Sequence, residues 1–92
     1  VDSALFAAAK VFGDDTAQCL SAGECEVAYK TGVFSGAICE IGQVISGAAS
    51  GRTSDSDVTI FDSTGIALQD IATAASLLQA AQKAGKGKTV TL

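Results

Sequence analysis

The residues best suited to chemistry are Ser63, Thr64 and Gly65, which separate a short run, Val58-Thr59-Ile60-Phe61, from a long Ala/Leu/Ile segment. Val58 and Ile60 alternate with Thr59 and Phe61, the period-two pattern of a strand. From Ile66 onward, Leu68, Ile71, Ala74, Ala75, Leu78 and Ala81 recur at three- and four-residue intervals, the stripe of an amphipathic helix. Ser63 and Thr64 are N-cap residue types, and Gly65 has no Cβ to keep a bound group from the first backbone N–H groups. A strand entering a helix this way offers an electropositive helix start to a ligand. The residues alone leave two readings open, a plain helix cap and a binding element.

Other chemistry is sparse. The chain has no histidine, so Ser63 and Thr64 have no nearby base to make them nucleophiles. Asp14-Asp15 and the Asp55, Asp57, Asp62 group are the carboxylate clusters, and neighbours on an extended chain point to opposite faces. They read as caps and loop-solvating groups rather than a paired-acid site. Cys19, Cys25 and Cys39 match no zinc template and read as reduced, small core residues of a cytoplasmic protein. No metal site is expected. The glycines nowhere form G-x-G-x-x-G, so the chain cannot cradle a pyrophosphate in that manner by itself.

The elements that must position Ser63–Gly65 read as α/β. Val1-Asp2-Ser3 resembles a strand end, and Ala4 to Phe12 a short helix stopped by Gly13. Asp14-Asp15-Thr16 can cap a further turn carrying Ala17, Cys19 and Leu20 inward, broken by Ser21-Ala22-Gly23. Glu24 to Tyr29 fits a strand or a helix equally well. After Lys30-Thr31-Gly32, the spacing of Ile38, Ile41, Val44 and Ile45 predicts a helix with Glu40 and Gln43 facing solvent. Gly47 to Asp57 is a Gly/Ser/Asp-rich loop and the best internal boundary. Gly85 ends the long helix, and Thr89 to Leu92 reads as a short terminal strand.

Composition narrows the function. The chain of 92 residues is 48% apolar but only 5% aromatic, so its core is lean and a partner surface is expected. A net charge of −4 argues against nucleic acid. Lys83, Lys86 and Lys88 read as a solvated helix end in preference to a phosphate contact. No apolar run is long enough for a membrane span, and Val1-Asp2-Ser3 does not open a signal peptide.

Several motifs together carry a resemblance. Glu40-Ile41-Gly42-Gln43-Val44-Ile45-Ser46-Gly47, Gly51-Arg52-Thr53-Ser54-Asp55 and Val58 through Ala72 resemble the C-terminal segment of the ornithine cyclodeaminase/mu-crystallin family. The likeness extends over essentially the whole chain and is strongest from 40 to 72. It implies the C-terminal part of a Rossmann NAD(P)-binding domain (1–50), followed by a strand-helix-strand (56–92) returning to a substrate and dimerisation domain. The implied activity is ornithine cyclodeamination, a lyase reaction, or alanine dehydrogenation or ketimine reduction, using NAD or NADP on a small amino or imino acid. Ser63 would then lie against the cofactor, with Thr64 and Gly65 against the substrate. The family's catalytic aspartate has no counterpart here, so no catalytic residue is expected in this chain. The implied partners are the N-terminal part of the same enzyme and a second copy in a homodimer. A non-catalytic module of the mu-crystallin type is the alternative.

Overall fold

A computed structural model describes all 92 residues. Its centre is β1 (Lys10–Gly13), flanked by β2 (Ile38–Glu40) and β3 (Thr59–Asp62) in a wholly parallel sheet of order β2-β1-β3. The register sets Val11 beside Ile38 and Ile60, and Phe12 beside Cys39 and Phe61. Alternation then sends the Val11 row to one face of the sheet and the Phe12 row to the other. Parallel neighbours need crossover connections. Helices α1 (Thr16–Ser21) and α2 (Glu24–Lys30) supply the first, and α3 (Ile41–Ile45) with the loop to β3 supplies the second.

The core lies on the Val11 face. Phe6, Val11, Cys19, Cys25, Ala28 and Phe34 form one buried cluster, against which Ala9, Leu20, Ile38 and Ile60 pack. The Phe6 and Phe34 rings meet at 5.5 Å, tilted by 55°, a favourable aromatic geometry. Small side chains permit the close approach of α1 to β1. A Cβ on Gly13 would lie 2.6 Å from Cys19 Sγ.

Five sequence expectations give way. Ala4 to Phe12 is not a helix, because a 3-10 turn (Ser3–Ala7) leads into β1. Val11 and Phe12 are both buried, and a strand buried on both faces shows an apolar run instead of alternation. Val1-Asp2-Ser3 is no strand end; the Asp2 carboxylate accepts from Ala4 N at 2.9 Å and caps that turn. The helix expected through Ile38 begins only at Ile41, because Ile38–Glu40 pairs with β1. Glu40 accordingly does not face solvent freely, and its Oε1 accepts from Thr16 N at 3.2 Å. Thr89–Leu92 forms no strand, having no partner in this chain to complete a ladder. Glu24–Tyr29, open on sequence, is helical.

The long helix, α4 (Ala67–Lys83), forms as the periodicity predicts. It ends in a Schellman arrangement: Lys86 N donates to Ala81 O at 2.8 Å and Gly85 N to Gln82 O at 3.2 Å, with Gly85 at a φ of +64°. No residue of α4 is buried, and no helix of the chain is long and apolar enough to cross a membrane.

Candidate functional site

Order β2-β1-β3 places the earliest strand in the middle, so the chain steps from β1 to one edge and then crosses back past β1 to the other. In open α/β sheets, ligands bind beyond the carboxyl ends of strands where the order reverses in this way. The segments there are Gly13-Asp14-Asp15 after β1 and Asp62-Ser63-Thr64-Gly65 after β3. The sheet thus brings together two stretches about fifty residues apart in sequence.

Asp14 joins them. Its Oδ1 accepts the Thr64 hydroxyl at 2.8 Å and Asp15 N at 3.0 Å. Its Oδ2 accepts Gly65 N at 2.8 Å and Gln69 Nε2 at 3.2 Å. Burial acts to raise the Asp14 pKa, but the bonds from the Thr64 hydroxyl and from the Gly65, Thr64 and Asp15 N–H groups outweigh it. The carboxyl is held well below the usual carboxylate range. From α1, Gln18 Nε2 donates to Gly65 O at 2.9 Å. Both polar backbone groups of Gly65 are therefore fixed from the β1–α1 side.

This arrangement corrects the expected helix cap. Neither Ser63 nor Thr64 caps α4, whose N-cap is Ile66 with no side-chain hydrogen bond. The Thr64 hydroxyl is directed at Asp14 instead. Gly65 has a φ of +79°, in the left-handed region that favours glycine, and a Cβ there would meet nothing within 4 Å. The glycine is required by conformation, and the space beside it is open. Ser63 is exposed, outside the Asp14 network, and Thr64 is half-buried.

Asp62 anchors the start of this loop. Buried at the end of β3, its Oδ2 accepts Cys25 N at 3.0 Å. The α2 N-cap is Gly23, which has no side chain to offer, so Asp62 supplies the carboxylate that the helix start favours. Cys19 Sγ lies 3.6 Å from Asp62 O. Burial raises the Cys19 thiol pKa, and burial followed by the Asp62 carboxylate pushes Cys25 up to about 12. Both are inert packing groups, as expected of small core cysteines. Asp15 is the N-cap of α1, accepting from Gln18 N at 2.8 Å. Both members of the Asp14-Asp15 pair therefore act on backbone and loop, as read from the sequence.

The specific role of Asp14 is hidden in the sequence, since its partners Thr64 and Gly65 lie about fifty residues away. Its signal is an Asp pair directly after an apolar run, meaningful once that run is recognised as a strand. Asp57 plays a similar part at the other end of β1. Its Oδ2 accepts Lys10 Nζ at 2.8 Å and the Thr53 and Ser54 N–H groups at 2.9 and 3.2 Å. The Lys10 bond, followed by Thr53 N–H, lowers its pKa. Beside Phe12 and Phe61, an apolar cleft of about 260 Å³ is lined also by Ile41, Val44, Ile60, Arg52 and Thr59. Its few polar groups give it none of the convergence seen around Asp14. No group of three or more His, Cys, Asp or Glu side chains is arranged to hold a metal.

The profile of the ornithine cyclodeaminase/mu-crystallin family matches residues 1–85. The iminosuccinate reductase of Paracoccus denitrificans is 40% identical over 93 residues, covering 100% of this chain and 29% of the relative. Alanine dehydrogenase of Archaeoglobus fulgidus is 43% identical over 76 residues, 80% of this chain and 24% of the relative. The crystal structure of the Paracoccus enzyme in complex with NAD+ superposes with a TM-score of 0.87 over 100% of this chain and 29% of the other. An archaeal alanine dehydrogenase dimer with bound NAD, 37% identical, gives 0.83 with the same coverage. The chain spans about a quarter to three tenths of the length of these relatives.

Proposed function

Because the chain belongs to the ornithine cyclodeaminase/mu-crystallin family, we propose that it contributes one wall of the active site of an NAD(P)-dependent enzyme acting on a small amino or imino acid. The observation that carries this reading is the convergence of the β1 and β3 carboxyl ends on Ser63-Thr64-Gly65. It is supported by relatives named as reductases and dehydrogenases of such acids, two of them with NAD bound.

In this reading, Ser63 binds the cofactor, and Thr64 and Gly65 face the substrate. The residues fit that role. The Ser63 hydroxyl is exposed, and the open space beside Gly65 leaves the wall accessible at backbone level. A bound nicotinamide would exchange a hydride with the carbon that carries nitrogen. The chain's own part is to orient the reacting partners and shield one side. It supplies no proton donor or acceptor there: Asp14 is saturated with donors and stays ionised, while Cys19 and Cys25 are buried thiols with raised pKa values. The catalytic acid therefore comes from the remaining polypeptide.

We further assign the partners and architecture on this basis. The enzyme is a cytoplasmic homodimer using NAD or NADP, and its lyase and oxidoreductase variants share the same hydride step. The pairing of β3 with β1 supports keeping β3 with the nucleotide domain, so that in this reading the passage to the substrate and dimerisation domain follows Asp62 rather than the Gly47–Asp57 loop. Helix α4 is its first element in that second domain.

The test is NAD(P)H consumption by the polypeptide carrying this chain, assayed against cyclic and open-chain imino acids. Turnover with at least one is expected. Binding of a small molecule without turnover would support the non-catalytic alternative, and neither binding nor turnover would overturn the reading.

A further inference from the structure

We infer that Asp14 fixes Thr64 as a hydrogen-bond acceptor, so that its hydroxyl selects the N–H of an amino or imino group over ligands that offer only oxygen acceptors at that position. The inference rests on Thr64 lining the proposed substrate site, and it assigns that position a chemical preference.

The argument begins with proton inventory. An ionised carboxylate only accepts, whereas a threonine hydroxyl has one proton to donate and two lone pairs. Between Thr64 Oγ1 and Asp14 Oδ1, 2.8 Å apart, the bonding proton must come from Thr64. Once that proton is committed, Thr64 can only accept from a ligand.

Asp14 is well suited to impose this state. Donors from Thr64, Asp15, Gly65 and Gln69 keep it charged, and the same bonds prevent the loop from rotating the hydroxyl away. Gln18 holds the other side of Gly65 through its carbonyl at 2.9 Å. The nearby negative charge strengthens acceptance from a cationic nitrogen and opposes a ligand carboxylate at the same spot. The substrate's carboxylate must therefore be held elsewhere, with its nitrogen turned toward Thr64. Asp14 acts through Thr64 and is a positioning residue.

The experiment compares two ligands in the active polypeptide carrying this chain: an amino acid, and the carboxylic acid of the same carbon skeleton lacking nitrogen. Dissociation constants are measured for both and for NAD+. Thr64→Val keeps the shape and removes the acceptor; it should weaken the amino acid about tenfold, as expected for one lost hydrogen bond to a charged donor. The nitrogen-free acid and NAD+ should change by less than about twofold. Thr64→Ser should restore the preference. Asp14→Asn should reduce the preference in the native background and leave it unaltered once Thr64→Val is present. Equal weakening of both ligands by Thr64→Val, or an unchanged preference, would overturn the inference while leaving the proposed function intact. A native protein that binds NAD+ but no amino or imino acid would overturn both.

Discussion

Around β1 the large side chains are enclosed, whereas along α4 they are bare. Val11 and Phe34 are 4% and 7% exposed, while Leu68, Ile71, Leu77 and Leu78 range from 60% to 69%. Both regions are rich in apolar residues, so composition does not distinguish them. The difference is what each packs against: β1 has two strands, two helices and a turn from its own chain, and α4 buries none of its residues against them. Burying one large aliphatic side chain contributes roughly 1.5–3 kcal/mol, so the four on α4 leave a substantial stabilisation unrealised here. At 17 residues α4 is only slightly longer than the ~12–15 below which an isolated helix is marginal in water. The two regions teach that the β1 side organises the site from within, while α4 is shaped to meet another surface.

The strongest way to break this comparison is to empty the enclosed side. Phe34→Ala removes a ring packed on Phe6 and should destabilise the chain by ~3–5 kcal/mol, read as a lower urea midpoint. A loss below about 1 kcal/mol would mean that the cluster is not the stabilising core. Next in size, Asp62→Ala strips the buried acceptor from Cys25 N and should cost ~1–3 kcal/mol, with Asp62→Asn costing less because an oxygen remains. The same measurement distinguishes a helix-capping role from simple packing.

Lowering pH probes both ends of β1 together. The Asp14 and Asp57 pKa values are depressed in the folded chain, so each contributes stability that is fully present above the ordinary aspartate value of ~3.9. That stability is lost as pH falls from about 4 through the folded values. Urea midpoints should fall over this range, and Asp14→Asn should flatten part of the decline. A midpoint independent of pH from about 5 to 2 would contradict the carboxylate networks. The smallest effect is expected on α4, where Leu77→Ala should change the stability of this chain by no more than about 0.5 kcal/mol. A cost approaching that of Phe34→Ala would erase the distinction between the regions.

The same contrast explains what could be read from the residues. Helix α4 is legible because its polar and apolar positions differ along a 3.6-residue period, a signal that needs no knowledge of the partner. So is β3, where Thr59 interrupts Val58 and Ile60. In β1 the Val11-Phe12 pair is apolar on both faces, and the period that would identify a strand disappears. Missing β1 also hid the meaning of Asp14, because its role depends on the parallel pairing that sets Gly13 beside Asp62. Ser63, Thr64 and Gly65 stand out by local residue types alone, but the partner of the Thr64 hydroxyl is fifty positions away. Ile38–Glu40 reads as helix for a further reason: its apolar residues merge with the helical spacing of Ile41, Val44 and Ile45, and only the ladder to β1 separates them.

The central claim is that Thr64 and Gly65 face substrate at the end of a scaffold that Asp14 holds in place. Thr64→Phe in the active polypeptide tests it most directly, because it enlarges a side chain that lies outside the buried cluster around β1 and removes the hydroxyl bonded to Asp14. The account predicts that KM for the imino acid rises at least about tenfold while the NAD(P)H dissociation constant stays within about twofold, a loss of ~1.4 kcal/mol or more confined to substrate. Equal losses for substrate and cofactor, or unchanged kinetics, would contradict it.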